Sequence, residues 1–309
     1  MTSAFHVYFG PESVAATPRV RRFGAGDCFL ALKEGLDDFL AMPTYPVFVG
    51  LFYAVAGIAL FAMTSLGNAL HLAFPLAAGF ALIGPFVAIG LYEMSRRRER
   101  ALAVRGRDAF TVIRSPALPS ILAFGLILLA IFAAWIFAAE LIYVWLYGPN
   151  PPAAANSFLR DVLTTQRGWT LIVLGGLVGF CFAALTLAIS VVSFPLMLDR
   201  DIGLVPALDA SWRVTLANPF AVALWGLIVA VALILGSLPL FFGLAVVIPV
   251  LGHATWRLYR KAIERDPAHE LPIEAPLHPD LTRNPALQLL WTFLDALDVL
   301  REGKETDRT

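Results

Sequence analysis

Few side chains in this sequence have both the type and the setting to do chemistry. Glu140 is the only acidic residue well inside a long apolar stretch, in FAAELIYVW. A charge at mid-membrane costs about 2.5–3.5 kcal/mol on insertion scales, so such a group is a candidate for ion or proton handling. It lies about two helical turns from the end of its stretch, so reaching the interface, protonation, or pairing with Arg160 or Arg167 is the reading favoured over a function. His253, in PVLGHATWRLYRK, is the second candidate. A metal, haem or proton site there would need a partner, and no His or Cys follows at i+3 or i+4. The competing expectation is a neutral imidazole hydrogen-bonded to the end of a neighbouring helix. The third group is ionic. Glu93 with Arg96, Arg97 and Arg98 lies in GLYEMSRRRER, and Asp199, Arg200 and Asp201 form a tight turn. Asp199 or Asp201 is expected to cap the following helix and to pair with Arg96–Arg100. No HExxH, GxSxG, P-loop or CxxC occurs, so no catalytic, metal or cofactor site is expected. Cys28 and Cys181 are expected as free thiols.

The elements that position these residues follow from composition. The 309 residues are 59% hydrophobic and 15% charged, with a mean hydropathy of +0.74. Soluble domains run near 45–50% apolar and about 25% charged. This departure predicts an all-α membrane protein. The zero net charge offers no field for nucleic acid.

Six transmembrane helices in three hairpins are predicted, over about 46–64, 72–92, 119–147, 169–194, 220–236 and 239–256. The last two come from one apolar run, Phe220–Trp256. As a single helix that run would be about 55 Å long, against a hydrocarbon core of about 30 Å, so Gly236-Ser237-Leu238-Pro239 must break it. Residues 1–26 read as a loose leader, 27–262 as the membrane domain and 263–309 as a tail. No short apolar run with a small-residue cleavage pattern follows Met1, so the first span is expected to act as the insertion signal.

Orientation follows from the cations. Four lie in the leader, seven after the second span, two after the fourth and eight in the tail. Only Arg160 and Arg167 fall on the other side. The positive-inside rule then puts both termini in the cytoplasm, in a bacterial inner membrane.

Amphipathic segments lie between the spans. In Asp27–Met42, Phe29, Leu32, Leu36, Phe39 and Leu40 recur at helical spacing, with Lys33, Glu34, Asp37 and Asp38 opposite and Asp27 as N-cap. Such a helix fits a membrane interface, or packs on the protein's own loops. Ala31–Pro43 and Ala207–Pro219 share Ala-Leu, Leu-Ala and the closing Pro at an offset of 176. Phe74–Pro85 and Leu238–Pro249 share Pro-Leu, Gly, Ala and Pro at an offset of 164. An internal repeat of surface helix plus hairpin is expected, with Arg107–Pro116 opening a third unit by layout alone. In the fourth span Gly175, Gly179, Ala183 and Ser190 keep one face small, which suits helix packing. In the tail, 285–302 reads as an amphipathic helix with an acidic polar stripe.

Three stretches resemble a bacterial family of predicted polytopic integral membrane proteins of unknown function, frequent in proteobacteria. They are Gly84–Glu99, Ser193–Ser211 with Ala217–Gly226, and Pro249–Lys261, and the resemblance covers about Arg19–Ile263. It implies an inner-membrane protein and supplies no activity or catalytic residue. Where the family run continues His-Ala-Thr-Trp with a second His, this chain has Arg257, which weakens a paired-imidazole site at His253. The expected role is an accessory, assembly or scaffold component of a membrane complex, not an enzyme. Its partners would be the bilayer, anionic lipid at Arg96–Arg100 and a protein docked through 285–302. The alternative is a small transporter or channel with a path past Glu140 and the fourth-span hydroxyls.

Overall fold

The computed structural model describes residues 18–42, 55, 57–59, 62, 76, 88–150, 155–239 and 241–273. Most of the first and second predicted spans and of the Phe74–Pro85 repeat segment, and all of residues 285–302, lie outside the described residues. The chain runs α1 (Ala25–Ala41), α2 (Ile89–Glu99), a 3-10 helix (Gly106–Arg114) and α3 (Leu118–Tyr147). After these come α4 (Ala155–Thr164), α5 (Gln166–Ser190), α6 (Ser193–Asp199), α7 (Leu204–Ala217), α8 (Pro219–Ser237) and α9 (Leu244–Ala262). Among the described residues the only strand-like pairing is an isolated bridge between Val20 and Ile263.

Local chemistry sets the helix ends. Pro119 opens α3 at a position whose N–H has no helical partner, and Gly148 closes it with φ at 86°, a left-handed conformation that suits glycine. Thr165 caps α5 by accepting from the Gly168 N–H at 3.1 Å. Two caps differ from the sequence expectation. Gly24 is the N-cap of α1, and Asp27 sits three residues in, accepting from the Gly24 N–H at 2.9 Å. Gly203, with φ at 78°, precedes α7, so neither Asp199 nor Asp201 caps it; stronger partners hold Asp199, as shown below.

Helices Leu118–Tyr147, Gln166–Asp199 (α5 through α6) and Pro219–Ser237 are long and apolar enough to cross a membrane. Only 17–22% of their most apolar windows is buried within the chain. Leu126, Phe137, Phe180 and Phe220 stand exposed, so this surface needs an apolar solvent rather than water. α3 and α5 run antiparallel. Phe124 stacks on Phe194 and Trp135 on Phe182, and Arg167 lies over Tyr147. The expected break after α8 falls at 238–243, where Gly236 and Gly243 approach so closely that a Cβ on Gly243 would sit 2.7 Å from the Gly236 carbonyl. α9 is not among the three long apolar helices, because its last turns carry Arg257, Arg260 and Lys261.

The protein core lies at one end of these helices. Trp225, Trp256, Tyr259, Tyr92 and even Arg200 are fully buried there. α1 packs along α9, with Gly35 so near Ala254 that a Cβ would meet its backbone nitrogen at 2.5 Å. On α9's other flank, Gly252 leaves room for Leu91 of α2. The face of α1 turned inward is Cys28, Ala31, Gly35 and Asp38, joined by Phe39. Phe29, Leu36 and Leu40 are exposed instead. Of the apolar row Phe39 and Leu32 reach the protein and the rest face away; the close contact is made by small residues, which let helix backbones approach where lipid is the alternative neighbour.

Candidate functional site

The C-terminal turns of α2 and α9, the buried face of α1 and the short helix α6 converge on two carboxylates. Asp38 is the first, 1% exposed. It accepts from Arg98 Nη1 at 2.6 Å, from Arg257 Nε and Nη2 at 2.9 and 2.7 Å, and from Ser95 Oγ at 2.7 Å. A carboxylate only accepts, so the single Ser95 proton goes to Asp38. Ser95 Oγ is also 2.8 Å from His253 Nδ1, and must therefore accept from it. This assigns the proton of the fully buried imidazole to Nδ1 and leaves Nε2 without a hydrogen bond. The expected hydrogen bond from His253 to a neighbouring helix end is the one observed.

Asp199, also fully buried, is the second node. The Tyr259 hydroxyl donates to it at 2.7 Å, and Arg260 donates twice, at 2.8 and 3.1 Å. Arg96, Arg200 and Arg100 stand 3.8, 3.9 and 4.0 Å away. The expected pairing of Asp199 with the arginine run after the second span is thus present. Arg260 also donates to Glu99 at 2.9 Å, as does Trp256 Nε1, and its guanidinium lies over the Trp256 ring. Burial, then the Asp199 charge, pushes the Tyr259 phenol well above its ordinary pKa. Burial works against the Arg260 charge, but Asp199, Tyr259 and Glu99 outweigh it and hold the guanidinium above its usual value.

The strand of chain after α9 straps this end. Arg21 N–H donates to Ala262 O, Glu264 N–H to Arg19 O, and Leu271 N–H to Asp199 O at 2.7 Å. Leu271 O accepts from both Arg96 and Arg100. Glu270 pairs with Arg100 at 2.9 Å and Arg265 at 2.7 Å. Burial raises the Glu270 carboxyl, but these guanidinium neighbours more than reverse that and leave it below its ordinary value. Asn218 ties in the leader, accepting from the Phe23 N–H at 3.0 Å and donating to Arg21 O at 3.1 Å.

Other predicted residues fall elsewhere. Glu93 is buried and pairs with Arg96 at 3.1 Å and Arg97 at 2.9 Å. Arg200 donates to the Glu264 carbonyl. Asp201 is half-buried before α7. Glu140 is half-buried on α3, towards the opposite end from the two nodes, while Arg167 is engaged by Asp161 at 3.2 Å. In the small-residue row, Gly179 and Ser190 are buried, with Trp135 3.1 Å from where a Gly179 Cβ would lie. Gly175 meets nothing within 4 Å, and Ala183 is exposed. Asp38 and Ser95 were not singled out from sequence. The available signal was Cys28, Ala31, Gly35 and Asp38 at helical spacing, a small-residue face ending in an acid. Among the described residues no group of three His, Cys, Asp or Glu side chains gathers as a metal site, and both cysteines are free thiols.

Long apolar helices with lipid-type exposure and charge gathered at one end define an integral membrane protein. The model of a family described as predicted integral membrane protein (DUF2189), of unknown function, matches residues 73–199. That stretch lies inside the region of resemblance read from sequence. It includes Glu93, the arginine run, Glu140 and Asp199 but not Asp38 or His253. No curated protein and no solved structure matches the chain.

Proposed function

We propose that the protein is a six-span inner-membrane component with both termini in the cytoplasm, acting as an accessory, assembly or scaffold factor of a membrane complex. The observation that carries this reading is the lattice at the charged end. Asp38 and Asp199 bind the leader-side helix, the arginine run, α9 and the 264–273 strap into one fixed surface. Such buried pairs hold geometry more than they add stability, which suits a platform. The tail follows the strap in sequence, and its predicted acidic-striped helix 285–302 would be the docking element. The exposed apolar face of α1 lies in the interface, and the basic end meets the anionic leaflet.

The internal repeat belongs to this reading. At the offset of 176, Cys28, Ala31, Gly35 and Asp38 correspond to Leu204, Ala207, Ser211 and Val214, and all are buried. Met42 and Asn218, closing α1 and α7, share nearly the same φ and ψ, −137° and 54° against −136° and 50°. The 3-10 helix packs on α2, α7 on α5 and α6, and α1 on α9. Each amphipathic segment thus rests on a helix that ends the unit before it, and α1 closes the circuit. This supports three units around an axis along the membrane normal.

The test is a pull-down in mild detergent read by mass spectrometry, with the full chain and with a chain lacking Asn284–Thr309. The scaffold reading expects a stoichiometric membrane partner that is lost with the tail. Recovery of the protein alone in both cases contradicts it.

A further inference from the structure

Helix α4 lies at the end of the α3–α5 hairpin opposite the two carboxylates. Its 10 residues are too few to hold a helix by propensity alone, so its contacts fix it. The Phe158 ring meets Tyr143 and Tyr147 of α3, with centroids 6.0 and 5.6 Å apart. Tyr143 stands a full turn before the end of α3. The chain has therefore turned back, and α4 starts beside the last turns of α3 rather than beyond them. At its other end, Gly168 in the first turn of α5 leaves no room for a Cβ against the Val162 backbone, and the Thr165 hydroxyl donates to the Asp161 carbonyl at 2.8 Å. Phe158, Asp161 and Val162, all half-buried, thus mark the side turned to the hairpin. The side turned away is divided. Leu159 and Leu163, four residues apart, are exposed. Arg160 and Thr164, also four apart, are exposed about 100° further round the helix.

We propose that α4 is an interfacial helix lying along the lipid surface at that end, with Leu159 and Leu163 among the outer acyl chains and Arg160 and Thr164 among headgroups and water. The neighbouring surface argues for lipid as the occupant. Trp145 near the end of α3 and Trp169 in the first turn of α5 are both exposed, and exposed tryptophan rings settle at the headgroup level of a bilayer. Trp145 lies between Tyr143 and Tyr147, so the Phe158 contacts bring α4 to the depth of this aromatic band. Below the band the exposed apolar surface continues through Leu141 and Val173, along helices long and apolar enough to cross a membrane. Leu159 and Leu163 add to that surface at its edge, and the split between an apolar and a polar side is the one a helix in the plane of the interface needs. Arg160 can lay its stem on the acyl layer and keep its guanidinium beside phosphate oxygens. The inference holds whichever end of the hairpin is cytoplasmic, and it does not involve the tail.

The full chain with Cys28→Ala and Cys181→Ala is reconstituted into nanodiscs of zwitterionic phospholipid. Leu159→Cys, Leu163→Cys, Arg160→Cys and Thr164→Cys are introduced singly and carry a nitroxide label. Phe137→Cys, more than two turns deeper on α3 than Trp145, is the reference. All five side chains are exposed, so the labels displace no packed contact. Relaxation is measured with dissolved oxygen, which concentrates among acyl chains, and with a water-soluble nickel chelate. The interfacial helix predicts that labels at 159 and 163 favour oxygen, at about 5–10 Å inside the headgroup boundary and shallower than the label at 137. Labels at 160 and 164 should favour the chelate. Chelate preference at all four positions places α4 in water. Shielding of 159 and 163 from both reagents shows a protein cover, and oxygen preference at all four shows a helix sunk wholly in the bilayer. Each of these three results overturns the proposal, and none bears on whether a protein partner docks at the tail.

Discussion

Asp38 is one of two buried carboxylates on which the charged end converges. Two arginines, a serine and, through it, a histidine depend on one carboxylate from a helix distant in sequence. Removing one partner of a buried ionic cluster leaves the others desolvated and uncompensated, at a cost of about 3–5 kcal/mol. Arg98 and Arg257 retain 37% and 20% side-chain exposure, so solvent relieves part of this cost. Asp38→Asn should therefore destabilise by about 3 kcal/mol, near the low end. The half-exposed pair Arg213–Asp209, at 2.8 Å with 37% and 58% exposure, is the comparison. Asp209→Asn should cost less than about 1 kcal/mol. Denaturant unfolding of both variants in the same detergent checks the ordering, and equal losses would contradict a special role for Asp38. His253 was legible as a hydrogen-bonding histidine from its place near the inner end of the predicted sixth span, although it lies in the middle of α9. Asp38 was hidden among Lys33, Glu34 and Asp37, because charge on an amphipathic helix reads as solvent-facing until the packing partner is known.

Helix α1 shows why that reading turned over. Periodicity located the helix to within two residues of its ends, Asp27–Met42 against Ala25–Ala41. The sequence leaves its apolar row either at a membrane interface or against the protein's own loops. Beside a bilayer the large apolar residues satisfy lipid, and helix contact selects small ones. Gly35 is the clearest instance, since an added Cβ would fall 2.5 to 2.7 Å from three Ala254 atoms, two of them backbone. Gly35→Ala should separate α1 from α9 and cost about 1–3 kcal/mol, the range for overpacking. Gly176 on α5 is exposed and meets nothing within 4 Å. Gly176→Ala should be neutral or stabilising by up to about 1 kcal/mol through helix propensity. Thermal unfolding of the two variants separates close packing from propensity; a stabilised Gly35→Ala would refute the tight contact. The caps at Gly24 and Gly203 were missed for a related reason. Asp199 looked like a cap, but arginines more than fifty residues away in sequence hold it more strongly than orphan helix N–H groups would.

At the scale of the molecule, composition and cation placement carried most of the account: an all-helical membrane protein with its charges at one end. The lattice linking Asp38 and Asp199 to α2 and α9 joins residues 57 to 219 positions apart, and no local pattern announces contacts at that separation. The bridge of Val20 to Ile263 and the hydrogen bonds of Arg19 and Arg21 to Glu264 and Ala262 bring the leader and the start of the tail to the same face. That favours an even number of crossings between them, and the orientation proposed above would put the leader, the arginine run and the strap in the cytoplasm.

Cysteine accessibility tests this claim most directly. With Cys28 and Cys181 both replaced by alanine, single cysteines at Ala153, between α3 and α4 in sequence, and at Thr309 are exposed to a membrane-impermeant maleimide in intact spheroplasts and after lysis. The account predicts labelling at 153 in intact spheroplasts and at 309 only after lysis. Labelling at 309 in intact spheroplasts, or at 153 only after lysis, would contradict it.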